Sequence, residues 1–443
     1  MRSSVIVKMK RILLMTLLFA TACKKEQGGR ATGLHELDKP GTLVAQPQSD
    51  KAIISWDPVS GADGYFVELC KGETFFAPAV IAASDTIAGS SYTFEGLTPS
   101  TSYALRLRAI SRRFPSETSK SQIHTFMTMA PPVINKVADA VVAADGSGNY
   151  TTVQAAINAV PENGTNYYYI YIKKGTYKEV IEVGQNKPYI YLVGEDKTQT
   201  VLTYDNYSGR PKPGGGTYGT ADSRSFYVKG NNFVADNITF ANSAGMNAGQ
   251  AVALYIDAAS SAFINCRFLG YQDTWYAHNA TRQYIKNCYI EGSVDFMFGG
   301  SKTLFDHCEL YSNRTGGYVT AASTSAGQDY GYVFQNCRFT SATGISGVYL
   351  GRPWRPEAQV VLISCELGSH IRAEGWHNWS NPDNEKTAYY AEYKSTGPGA
   401  NPAARVSWSH QLTDAETARY TFEKMFDNWD PGFLAENIRI VTK

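Results

Sequence analysis

The sequence predicts an all-β protein, a short β-sandwich followed by a parallel right-handed β-helix, and three observations carry this. Between Thr42 and Met129, segments such as Tyr103-Ala-Leu-Arg-Leu-Arg-Ala109 swap apolar and polar residues at every position, the pattern of strands with one wet face. Downstream a single template recurs in Phe263-Ile-Asn-Cys-Arg-Phe268, Ile285-Lys-Asn-Cys-Tyr-Ile290, Phe305-Asp-His-Cys-Glu-Leu310, Phe334-Gln-Asn-Cys-Arg-Phe339 and Leu362-Ile-Ser-Cys-Glu-Leu367, with Ala235-Asp-Asn-Ile-Thr-Phe240 fitting it through Ile238. The intervals from Ile238 onward are 28, 22, 20, 29 and 28 residues, too variable for helical repeats and suited to β coils that bulge loops on one side. Each coil cannot bury its inward face alone, and stacking coils makes one continuous core.

Taken in order, residues 1–23 read as an export signal. Lys8, Lys10 and Arg11 precede the apolar run Ile12–Ala20, too short to span a bilayer permanently. Ala20-Thr-Ala-Cys23 resembles a bacterial lipobox, with Ala20 where leucine is commonest. Cys23 is then the acylated N-terminus and the chain an exported lipoprotein at the bacterial outer membrane. Cleavage near Ala22 to give a soluble secreted protein is the alternative, and Met9 is a second candidate start. Residues 24–41 are a polar tether. Residues 42–129 form the sandwich, in which Ile54-Ser-Trp-Asp-Pro-Val59 and Leu97-Thr-Pro-Ser-Thr-Ser-Tyr103 resemble a fibronectin type III module. Its tryptophan is expected to pack the core and its tyrosine to fasten a corner, with a spacer role ahead of carbohydrate binding. Arg106, Arg108, Arg112 and Arg113 are expected to decorate a strand face and its turn. Residues 130–136, with Ala130-Pro-Pro132, are a linker, and 137–443 are the coil. Val153–Val160 has helical spacing and can cover the open end of the coil, and Thr413-Asp-Ala-Glu416 has capping-box spacing.

With 43% hydrophobic residues the chain can bury a large core. Lysine and arginine total 41 against 40 acids, so no basic field points to nucleic acid. A monomer is expected. Five cysteines, Cys266, Cys288, Cys308, Cys337 and Cys365, share one phase of the template. They are expected as free buried thiols stacked inside the coil, with oxidation of a neighbouring pair as the alternative.

Two acids carry the chemistry. Asp273 and Asp295 each lie seven residues after a cysteine, 22 residues apart. If a coil closes in that interval, they sit on adjacent turns at the strand spacing of ~5 Å. Two carboxyl groups so close cannot both ionise cheaply, so one keeps a proton while the other stays charged. Gln272 precedes Asp273, Gln250 opens Gln250-Ala-Val-Ala-Leu254, and Arg352 stands in Leu350-Gly-Arg-Pro-Trp354.

Together with Gly146-Ser-Gly-Asn-Tyr-Thr-Thr-Val-Gln154, Gly270-Tyr-Gln-Asp-Thr-Trp-Tyr276, Asp295-Phe-Met-Phe-Gly299 and Gly397-Pro-Gly399, these segments closely resemble the pectin methylesterases, in that family's order. The resemblance implies a hydrolase that removes methyl groups from methyl-esterified polygalacturonate, without a cofactor or metal. By position Asp295 matches the nucleophile, Asp273 the acid/base, Gln250 and Gln272 the oxyanion-stabilising amides, and Arg352 the arginine that holds the nucleophile and is expected to lower its pKa. Tyr276, Val294, Phe298 and Trp354 match positions that contact the sugar. The chain departs from the pattern at Trp275 and Met297, where leucine and isoleucine are usual, and Trp275 leaves the shape of the cleft open. Thr320-Ala-Ala-Ser-Thr324 lacks the glutamine and arginine of many plant members, so subsite preference does not carry over.

The sequence contains no Gly-x-Ser-x-Gly elbow and no His-Glu-x-x-His spacing. A glycosidase or lyase on the same coil would also use clustered acids. The former needs no amide donors beside them, and the latter calls for calcium-binding aspartates. A silent polysaccharide-binding protein would keep the aromatics without needing Asp273.

Overall fold

The structure, a computed structural model, describes residues 37–75, 80–111, 121–130, 133–278, 281–427, 429 and 437–442. The chain divides into two compact units, Met1–Pro131 and Pro132–Lys443. The signal-like segment, Met9, Cys23, Arg112 and Arg113 lie outside the described residues.

In the first unit, strands Leu43–Pro47, Ala52–Trp56 and Ser91–Phe94 form an antiparallel three-stranded sheet, and Val80–Ile87, Gly64–Lys71, Ser102–Ile110 and Gln122–Met127 a four-stranded one. The alternation predicts which residues face inward. Ile54, Trp56, Val67, Leu69, Leu105 and Leu107 are buried in one cluster. Trp56 meets Tyr65 edge to face at 5.1 Å. The Tyr103 hydroxyl accepts from the Thr98 N–H at 2.8 Å, which closes the corner the sequence suggested. On the strand's opposite face Arg106 pairs with Glu68 at 2.5 Å and Arg108 lies over Phe66 at 4.5 Å.

The second unit is a parallel β-helix. Among the described residues, successive coils each add a strand to three parallel sheets of eleven, eight and seven strands. One coil runs through Ser260–Ile264, Arg267–Leu269 and Trp275–Ala277, and the next through Arg282–Lys286, Tyr289–Gly292 and Val294–Gly299. The corner between the first two sheets explains the template. Asn237, Asn265, Asn287, His307, Asn336 and Ser364, each just before the cysteine or Ile238, all have left-handed backbone with φ of 53–60°. Asparagine tolerates this better than other side chains. The next residue turns inward, so all five template cysteines are buried free thiols stacked along the coil. The Cys266 N–H donates to Cys288 Sγ at 3.3 Å, and the Cys288 thiol donates to the Lys286 carbonyl at 3.3 Å. Aromatic residues stack the same way, with Phe305 over Phe334 at 4.5 Å and 11°. Trp275 is 1% exposed and packs inside against Phe305 and Tyr332. It therefore fills the core and does not shape the cleft.

The segments before and after the coil pack on different parts of it. Helix Val153–Ala159 turns Val153, Ala156 and Ile157 into the core beside the first coil. Thr152 caps it, and Glu179 accepts from the Val153 and Gln154 N–H groups at 2.8 and 3.0 Å. The capping box of Thr413 and Glu416 is present. Beyond it, Tyr420, Met425, Phe426 and Trp429 cover the outer face of the eleven-stranded sheet, packing on a cluster that includes Tyr284, Leu304 and Val333. Strand Asn437–Val441 returns to pair with Val133–Val137, so residues 133–136, expected as linker, are part of the second unit. No helix among the described residues is long and apolar enough to cross a membrane.

One buried ion pair ties the C-terminal loops to the coil. Arg405 and Glu392 have side chains only 2% and 3% exposed and bond at 2.6 and 3.2 Å, while Arg405 also donates to the Arg372, Ala373 and Gly399 carbonyls. Removing one partner of a buried pair strands the other charge. Arg405→Met is expected to cost about 3–5 kcal/mol in denaturant unfolding. Adding Glu392→Leu to it should recover part of that loss.

Candidate active site

Strand register brings the two acids together. Trp275 pairs with Met297 and Tyr276 with Phe298 in the seven-stranded sheet, and the same 22-residue offset sets Asp273 opposite Asp295. The Asp273 N–H donates to the Val294 carbonyl at 3.1 Å. Both aspartates have left-handed backbone, φ 65° and 50°, a conformation Asp accepts more readily than most residues. At Asp295 the pairing with the following strand slips between Val294 and Met297, and such irregularities re-aim side chains. Both acids line one cleft of about 320 Å³. They are only 8% and 6% exposed.

Arg352 follows strand Tyr349–Gly351. Its N–H donates to the Thr320 carbonyl at 2.9 Å, and a side chain at Gly351 would meet Thr320 Oγ1 at 1.9 Å, so glycine permits this approach. The guanidinium grips Asp295 with both edges, Nε to Oδ1 at 2.9 Å and Nη2 to Oδ2 at 2.6 Å. This is the bidentate geometry of strong charge-assisted pairs.

Burial first, and the Asp295 charge second, hold the Asp273 carboxyl well above the usual carboxylate range, against a smaller pull from Arg352. Asp295 departs from the expectation that arginine would lower it. Burial pushes its carboxyl up, and the bonds and charge of Arg352 offset only part of that rise. The order between the two survives, because Asp273 has the like charge and Asp295 has the guanidinium.

Gln250 and Gln272 meet in an isolated parallel bridge, with the Ala251 N–H donating to the Gln272 carbonyl at 3.1 Å. Both line the cleft, and their side-chain amides have no hydrogen-bond partner among the described residues. Tyr276 and Phe298 stack at 4.3 Å and 5°, and Trp354 stands 5.8 Å from Phe298 edge to face. All three line the cleft. Val294 does not: it is half-buried and paired with Tyr318, beside the acid but outside the lining. Cys23 lies outside the described residues.

The cleft also takes in Ala321 of the Thr320–Thr324 segment, and Thr220, Ala221 and Trp379, which the sequence did not single out. Only Trp379 had a signal, the doublet Trp376-His-Asn-Trp379 shortly after Trp354. Among the described residues, no three of His, Cys, Asp and Glu are placed to hold a metal ion. The arrangement offers a clamped carboxylate, a neighbouring carboxyl with high proton affinity and amides free to donate.

The chain's relatives agree on one family. The Pectinesterase family matches residues 139–428 and the fibronectin type III domain residues 38–123. Pectinesterase 31 of Arabidopsis thaliana is 43% identical, covering 65% of this chain and 91% of its own length. Pectinesterase/pectinesterase inhibitor 3 of the same plant is 40% identical over 61% of this chain, which spans about half, 46%, of that longer protein. Among solved structures, the pectin methylesterase from carrot superposes with a TM-score of 0.61 at 34% identity, covering 65% of this chain and 92% of its own. PemA from Erwinia chrysanthemi gives 0.59 at 29%, covering 67% and 99%.

The raised proton affinity of Asp273 has a stability consequence. Its folded pKa exceeds the unfolded value of ~3.9, so the folded state holds the extra proton, and stability falls as pH rises from there towards the folded pKa. Asp273→Asn removes that penalty. Its unfolding midpoint is expected above wild type at pH 8, with the gap closing near pH 4, in thermal melts followed by circular dichroism.

Proposed function

Because the chain belongs to the pectinesterase family and is an esterase that demethylates pectin, we propose that it does so through an acyl-enzyme on Asp295. The reading rests above all on the two-pronged Arg352 grip on Asp295 beside a carboxyl that keeps its proton. Asp295, ionised and oriented, attacks the ester carbon of a methyl-esterified galacturonate. Negative charge builds on the former carbonyl oxygen, where the Gln250 and Gln272 amides donate. As the C–O bond breaks, Asp273 gives its proton to the departing methoxide, and methanol leaves. A water then loses its proton to Asp273 and attacks the acyl carbon. Asp295 departs as carboxylate and the product carries a free carboxyl group. Tyr276, Phe298 and Trp354 present ring faces and edges to the sugar, and Val294 borders the nucleophile.

Residues 1–23 direct export, with Cys23 as a lipid-bearing N-terminus at a bacterial outer membrane. Residues 24–41 tether, 42–129 space and 137–443 act, as a monomer. The small-residue run before Cys23 supports the anchor.

Methanol release from esterified pectin tests the chemistry. Asp295→Asn is expected to abolish it, and Gln272→Ala to lower kcat ~100–1,000-fold. Activity needs Asp295 ionised and Asp273 protonated. The rate should therefore fall as pH drops through the Asp295 pKa, which burial places above the ordinary ~3.9, and again as pH rises through that of Asp273. Backbone cleavage without methanol, or full activity in Asp295→Asn, refutes the reading.

A further inference from the structure

We infer that Tyr318 and Trp379 are positioning residues that flank the Arg352 guanidinium and fix the plane from which it grips Asp295. The inference rests on the reaction proposed above and adds two residues to it. Arg352 Cζ lies 3.8 Å from the Tyr318 ring centroid and 3.8 Å from that of Trp379, well inside the ~6 Å reach of cation–π attraction. The rings come from separate parts of the coil. Tyr318 begins strand Tyr318–Ala322, one coil before Arg352, and Trp379 stands in the loop after Trp376.

Each ring is itself held. Tyr318 stacks on Tyr349 at 5.3 Å and 7°, and the His377 ring stands roughly perpendicular to both at 5.7 and 5.2 Å. The Trp379 N–H donates to His377 Nδ1 at 3.0 Å. Trp379 has left-handed backbone, φ 60°, an unfavourable conformation for so bulky a residue that persists only where its surroundings impose it. What it achieves is an indole face laid against the guanidinium.

A guanidinium on a free side chain samples many orientations and is well hydrated. Between two ring faces it keeps one plane, with the Nε and Nη2 edge turned to Asp295, and loses water from its faces, so its attraction for the carboxylate is less screened. Tyr318 does not line the cleft; its backbone pairs with Val294, and its ring meets the site through Arg352. The other ionisable groups around the pair are Asp273 on the preceding coil, Tyr390 on strand Tyr389–Tyr393, and His377 with Arg372 beyond it. Burial, then Arg352 and Arg372, lower the His377 pKa. Arg352 is thus the cation that faces Asp295.

The test compares Tyr318→Leu, Tyr318→Phe, Trp379→Leu and Trp379→Phe in the full chain, reading kcat and KM for methanol release across pH. The leucine variants are expected to lose roughly tenfold in kcat, with the acid limb of the profile moved to higher pH because Asp295 has lost part of its counter-charge. The phenylalanine variants keep a ring face and should restore both, and KM should be unchanged in the Tyr318 pair. Trp379, half-buried at the cleft rim, carries the test if Tyr318→Leu fails to fold. Leucine variants with wild-type kcat and acid limb overturn the inference, as does a loss of kcat with an unmoved limb and no rescue by phenylalanine. A wild-type chain that releases no methanol overturns the reaction and this inference with it, whereas an active wild type with unaffected leucine variants overturns the inference alone.

Discussion

Parallel pairing of one coil on the next is the constraint from which the site's chemistry follows. Once Trp275 pairs with Met297, Asp273 has to stand over Asp295. Two unit charges ~5 Å apart repel by roughly 3 kcal/mol at an effective dielectric of ~20, and burial adds a cost for each. A register that only had to bury apolar residues would never bring two carboxyl groups so close. Here it does so at the one rung where Arg352 can reach back from two coils later to pair with one of them.

The fold meets this cost with rigidity elsewhere. The seven-stranded sheet that carries the acids also stacks Tyr227, Tyr255, Tyr276 and Phe298 in register, with neighbouring centroids 4.5, 4.3 and 4.3 Å apart. The interior behind it is filled by Trp275, Phe305 and Phe334. Such a wall does not relax to let the carboxyl groups drift apart, so the conflict appears as a difference in proton affinity instead of a change of shape. Left-handed backbone at both aspartates belongs to the same bargain, since it turns the side chains off the sheet's regular alternation and into the cleft.

Much of this was legible in the sequence because a coil repeats its environment. A residue at one phase meets the same phase above and below, so Cys266, Cys288, Cys308, Cys337 and Cys365 announced both the period and the inward face, and the spacing of Asp273 and Asp295 from them announced the pair. The same template held a further signal, the Asn, His or Ser before each cysteine, whose left-handed corner is a backbone property that alternation of polarity does not reveal. What could not be read was contact between distant segments. Tyr420, Met425 and Phe426 form a short amphipathic stretch whose partner, the outer face of the eleven-stranded sheet, is visible only when the sheet exists. Trp379 reaches the cleft through a loop whose course no periodicity fixes. Trp275 reads as an aromatic beside a catalytic motif, yet strand parity turns it inward. The direction of the Asp295 shift is hidden from the sequence for a related reason: a motif names the arginine partner but not the depth of burial, and at 6% exposure burial is the larger effect.

Two arginines, Arg405 buried and Arg352 half-buried, separate structure from function in this coil. Arg405 satisfies all three of its nitrogens, on Glu392 and three backbone carbonyls, with its side chain 2% exposed. A group so completely bonded can only hold, and it holds the loops that carry Trp376 and Gly399. Arg352 spends Nε and Nη2 on Asp295, has aromatic faces above and below in place of further acceptors, and leaves Nη1 without a partner among the described residues. Its side chain remains 18% exposed at the cleft. Ring faces attract a cation without accepting its protons in the plane, so they orient the guanidinium while leaving its hydrogen-bonding edge to the carboxylate. An arginine bound by carbonyls on every side would divide its charge among them, and the carboxylate it serves would feel less of it.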